Sequence, residues 1–179
     1  MEASGLVHMV RNQKLDELTL LYQMFSKIPE AFALLRKHMQ AFIESDGEKL
    51  VMDEKLKNEV LVVKLIELRE RLIEIWTRSM NKDQNIDLTI KFAFEKIVNH
   101  DQRVAKALVI YLDEMFKKDF KTITEADLND RVDKIIQIFR YLNEKDVFEG
   151  FYKNSFAKRL LEQRHVNDEV ERVIVLKLK

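Results

Sequence analysis

The stretch VLVVKLIELRERLIEIWTRSM, residues 60–80, decides the fold. Leu61, Leu65, Leu68, Leu72, Ile75 and Trp76 recur every three or four residues, whereas Lys64, Glu67, Arg71, Glu74 and Arg78 fall mainly off that stripe. A period near 3.6 puts the apolar set on one side of an α-helix and the charges on the other. The surrounding composition agrees: among 179 residues there are only 3 glycines and 1 proline, too few for the tight turns of a sheet protein. The fold class expected is all-α, with long helices on short connectors.

Outward from this helix the same period recurs. Upstream, Leu15, Leu18, Leu21, Tyr22 and Phe25 mark a helix that stops before Pro29, whose ring disfavours helix at the residue before it. Another opens at Pro29 and Glu30, runs through Phe32, Leu35, Met39 and Phe42, and is expected to be interrupted at Gly47. Downstream, a polar break at Asn81–Asn85 precedes helices marked by Leu88, Phe92, Phe94, Ile97 and Val98, and by Val104, Leu108, Tyr111, Leu112 and Met115. The period then breaks over Lys117–Thr124. Thr124 with Asp127 resembles a capping box, so a helix is expected from near Glu125 through Val132, Ile135, Ile136, Phe139 and Leu142. Asn143 and Glu144 form a hinge before the next, which carries Val147, Phe148, Phe151, Tyr152, Phe156, Leu160 and Leu161. The last segment, Asn167–Lys179, reads as a helix lined by Val170, Val173, Ile174 and Leu178, although VIVLKLK is β-branched enough for a strand. The organisation expected is five helices followed by three.

The residues argue against most chemistry. Thirty-one basic side chains balance thirty-one acidic ones, so no net field draws in nucleic acid or an anionic membrane. Cysteine is absent, and neither a leader nor a bilayer-length apolar run is evident, which together lead us to expect a cytoplasmic or nuclear protein. His8, His38, His100 and His165 lie on separate elements and form no ligand pair, so no metal site is expected. No GxSxG elbow exposes a nucleophile, and the isolated Gly5, Gly47 and Gly150 cannot build a phosphate cradle. Glu67, Glu70 and Glu74 alternate with Lys and Arg on a solvated face rather than forming an acid–base pair. Lys153, Lys158, Arg159 and Arg164 could grip an acidic partner, but read as the wet side of a helix whose other side holds Phe148, Phe151 and Tyr152. Gly150 inside a helical pattern reads either as close packing by another helix or as a position that the rest of the bundle tolerates. No catalytic, cofactor or metal residue is assigned.

The stretch KDVFEGFYKNSFAKRLL, residues 145–161, resembles the pattern KDVFExxYKxxLAKRLL that opens the C-terminal homology region of cullins. Lys145, Asp146, Val147, Phe148, Glu149, Tyr152, Lys153, Ala157, Lys158, Arg159, Leu160 and Leu161 match, while Phe156 stands where leucine is usual. LYQMFSKIP at Leu21–Pro29 is similar to the family's LYxLFSRVP element, FRYLNEKDVFE to its VFRFxxxKDVFE, and the final RHVNDEVERVIVLKLK keeps only the outline of KSxSxDAEKSMIxKLK. The resemblance covers nearly the whole chain. It implies that residues 1–14 end a preceding repeat, that residues 15–120 form the third, five-helix cullin repeat, and that residues 121–179 begin a C-terminal four-helix bundle cut short by the end of the chain. It also implies a rigid, non-catalytic scaffold segment of a cullin-RING ubiquitin ligase, linking the end that binds a substrate adaptor to the end that binds the RING subunit, with an assembly-exchange factor as a further protein partner. A cut-short bundle would leave Phe148, Phe151 or Val173 to be covered by a neighbouring copy or a dimer mate. The alternative from the residues alone is an unrelated helical-repeat interaction module.

Overall fold

The computed structural model describes residues 4–118 and 125–161, together with Ile174 and Leu176. Among the described residues there are eight α-helices and no strand. They are α1 Ser4–Arg11, α2 Leu15–Phe25, α3 Pro29–Met52, α4 Asn58–Ser79, α5 Gln84–Val98, α6 Arg103–Lys118, α7 Glu125–Phe139 and α8 Lys145–Leu161. The chain divides into two compact units, one made of Met1–Asp53 with Glu67–Ile97 and the other of Glu54–Ile66 with Val98–Lys179, so that α4 contributes residues to both.

In the first unit, α1, α2 and α3 pack on one another. Helix α1 was not anticipated; its buried Val10 anchors it, and Gln13 turns the chain into α2 with a left-handed φ of 49°. Two side chains tie that turn down: Ser79 Oγ donates to the Leu15 carbonyl at 2.9 Å and Gln13 Nε2 donates to Glu74 at 3.0 Å. Ile28 is extended, as the residue before a proline should be, and Pro29 occupies the first turn of α3, where a missing N–H costs nothing. The α4 stripe behaves as its spacing requires, with Leu68, Leu72 and Ile75 buried in this unit. Trp76 is only partly covered, and its indole N–H donates to the Asp83 carbonyl at 2.8 Å.

The expected interruption at Gly47 does not occur. Helix α3 runs unbroken for 24 residues to Met52, with Gly47 buried along it. A Cβ at Gly47 would lie 2.3 Å from Cδ1 of Ile97, so this glycine is the place where α5 closes on α3 and not a place where the helix stops. Gly150 has nothing within 4 Å of an added Cβ, so of its two readings the structure favours a position the bundle tolerates.

In the second unit, α6 packs on both α8 and α7. Its interior is aliphatic, with Leu61, Leu65, Val104, Leu108, Leu112, Val132, Ile135 and Ile138 buried. Phe139, Phe148 and Tyr152 form an aromatic run, the first pair 4.8 Å and the second 6.0 Å between ring centroids. Phe148 is therefore covered within its own chain, at 2% exposure, which corrects the expectation that it would await a neighbour. Phe151 is half-buried. Val173, the Thr124 cap and the question of helix or strand over Asn167–Lys179 lie outside the described residues.

Candidate functional site

The signature stretch folds as α8, and its spacing sets which of its residues face α6. Phe148, Tyr152, Ser155 and Arg159 recur at four, three and four residues, one stripe of a helix. Its first half is aromatic and its second half polar. Arg159, read from the sequence as part of a wet basic face, is 7% exposed and ion-pairs with Asp113 of α6. Ser155 Oγ donates to the other carboxylate oxygen of Asp113. The guanidinium also lies over the rings of Tyr152 and Phe156, at 5.6 and 5.7 Å from their centroids. The sequence signal was present: Arg159 continues the stripe of Phe148 and Tyr152, and only its charge placed it outside. Lys153, by contrast, is exposed and pairs with Glu149 one turn away at 2.6 Å, and Lys158 is exposed. Arg164 lies outside the described residues.

The N-terminal end of α8 is held by a second device. Asn99 Nδ2 donates to the Tyr141 carbonyl at 2.7 Å, and its Oδ1 accepts from the Asn143 N–H at 2.8 Å, so one side chain fastens both sides of the hinge between α7 and α8. Lys145 sits over the Phe139 ring at 5.6 Å. Its neighbours Asn99–Gln102, Leu142–Glu144 and Val147 line a cleft of about 310 Å³.

In the first unit the comparable junction is Asp83. One carboxylate oxygen caps α5 by accepting from the Asn85 N–H at 2.8 Å and the Ile86 N–H at 3.3 Å; the other accepts from the Tyr22 hydroxyl at 3.0 Å. Burial first, then the contact with Asp83, holds the Tyr22 phenol above its ordinary pKa. The polar break at Asn81–Asn85 was legible in the sequence, but not which of its residues caps the helix. The left-handed Asn81 and Lys82, at φ 49° and 53°, place it. Further along, burial tends to raise the Glu44 carboxyl, but hydrogen bonds from Lys96 and Gln40 and the Lys96 charge prevail and hold it below the usual range. Lys96, 2.5 Å away, is correspondingly raised by that hydrogen bond and charge.

Both junctions position helices. His8 lies on α1, His38 on α3 and His100 between α5 and α6, and among the described residues no three His, Cys, Asp or Glu side chains converge as a metal site would require. Glu74 pairs with Arg78 at 2.8 Å and accepts from Gln13, rather than joining Glu70 in a carboxylate pair. Among the described residues no helix is long and apolar enough to cross a membrane.

Eight packed helices with no strand among the described residues define the all-α class. Comparison with known proteins narrows this. Residues 1–179 match the family model of the cullin alpha solenoid domain. The chain is 35% identical over 181 residues to Cullin-3A of Arabidopsis thaliana, 32% over 181 residues to Cullin-3 of Dictyostelium discoideum, and 31% over 176 residues to Cullin-4 of Dictyostelium discoideum. These alignments take in 100%, 100% and 98% of this chain but 25%, 24% and 22% of the relatives. The chain belongs to the cullin family, and it spans about a quarter of the length of the curated relatives it matches.

Proposed function

We propose that this chain is a stiff, non-catalytic scaffold segment of a cullin-RING ubiquitin ligase, acting in the cytoplasm or nucleus. It would stand between the end that takes a substrate adaptor and the end that takes the RING subunit, with residues 15–120 as one five-helix repeat and residues 121–179 opening the next bundle. The observation that carries the reading is family membership along the whole chain, joined to polar contacts that fasten one helix to another. A connector of this kind works by geometry: holding substrate and charged conjugating enzyme at a set separation raises their effective concentration, and needs no reactive side chain. The two test arms are co-purification of the whole protein with a RING subunit and ubiquitin-chain assembly with and without it. The expected result is a stable complex whose chain-forming activity depends on the scaffold; a whole protein that never retains a RING subunit contradicts the ligase reading.

A further inference from the structure

In the first unit, Ala33, Arg36, Lys37 and Gln40 on one side of α3 face Asn85, Leu88, Thr89 and Phe92 on one side of α5 across a groove of about 300 Å³. Each set spans two helical turns at the same spacing, so the groove is roughly 11 Å long, room for about two turns of a third helix. Its apolar wall is open to solvent: Phe92 is 54% and Leu88 45% exposed, large values for residues of this size. Its charge is one-sided, with two cations and no acid in the lining. Among the described residues no carboxylate pairs with Arg36 or Lys37, and two acids close to the groove are engaged elsewhere. Asp83 caps α5 and holds Tyr22; Glu44, one turn beyond Gln40, is neutralised by Lys96. The polar neighbours turn inward too, with Thr89 donating to the Asn85 carbonyl at 2.7 Å and Gln40 to Glu44 at 2.8 Å. Arg36 lies over the Phe32 ring, 5.6 Å from its centroid, with Nη1 3.4 Å from Asn85 Oδ1, which directs its charge along the groove.

We propose that this groove docks an acidic amphipathic helix of a partner protein, its leucine-like side chains against Leu88 and Phe92 and its carboxylates on Arg36 and Lys37. Helix-in-groove recognition supplies the apolar anchors, and the paired charges fix register and sign. This proposal is independent of the ligase reading, and each can fail without the other. The test titrates the chain with a fluorescein-labelled peptide bearing leucines at i, i+3, i+4 and i+7 flanked by glutamates, alongside sister peptides with every glutamate replaced by glutamine or by lysine. Saturable binding is expected for the glutamate peptide, with amide shifts concentrated at Ala33, Thr89 and Phe92, weaker binding for the glutamine peptide and none for the lysine peptide. Lys37→Glu and Arg36→Gln should each weaken it about tenfold, and Phe92→Ser at least as much. Lys37 is exposed, so Lys37→Glu leaves packing untouched and separates lost binding from lost folding. Equal binding of the three peptides, shifts centred elsewhere, or indifference to Lys37→Glu overturns the proposal.

Discussion

A Cβ added at Gly47 would meet Ile97, whereas one added at Gly150 would meet nothing within 4 Å. Periodicity reports which side of a helix is apolar, but how near a partner comes depends on residues distant in sequence, here Ile97. The two sites should respond oppositely to the same substitution. Gly150→Ala should stabilise the chain by about 1 kcal/mol through helix propensity alone. Gly47→Ala should destabilise it by about 1–3 kcal/mol, because Ile97 is β-branched and has little room to yield. Urea denaturation of both variants checks the pair, and a stabilised Gly47→Ala would remove the close-packing account. Arg159 makes the same point for charge. Its position on the stripe was legible and its burial was not, because a cation is buried only when a partner such as Asp113 stands opposite. Arg159→Ala, which strands that partly covered carboxylate, should cost about 3 kcal/mol, while Arg159→Met with Asp113→Leu should recover most of the loss.

At the scale of elements the sequence spoke most clearly where one apolar stripe is long. Helix α4 and its buried Leu61, Leu65, Leu68, Leu72 and Ile75 could be read directly, and so could the starts of α3 at Pro29 and α7 at Glu125. Helix α1 escaped because eight residues carry barely two turns of pattern, too few for periodicity to stand out; tertiary contact with α2 and α3 makes it a helix. The start of α5 was missed for a different reason. Its cap, Asp83, sits among five consecutive polar residues, and only the left-handed turn at Asn81 and Lys82 singles it out. What the sequence could not convey is which helices fasten to which. The Asn99 latch on Tyr141 and Asn143 joins residues more than forty positions apart, and no local spacing announces it.

For the whole molecule, an even charge balance, a shortage of glycine and a family match along all of its length are consistent with a part whose value is geometric. The residues that a chemist would first suspect, the four histidines and the α4 glutamates, either pair locally, stand apart or lie outside the described residues. The conspicuous polar contacts instead fasten one helix to the next. The central claim is that such a chain holds a fixed spacing, and the absence of native cysteine makes that directly measurable, since introduced cysteines carry the only labels. Spin labels at Lys64→Cys and Asn154→Cys, both in the second unit, should give a single narrow distance distribution. A broad distribution, or one that splits into several populations, would contradict the account of stiffly packed helices.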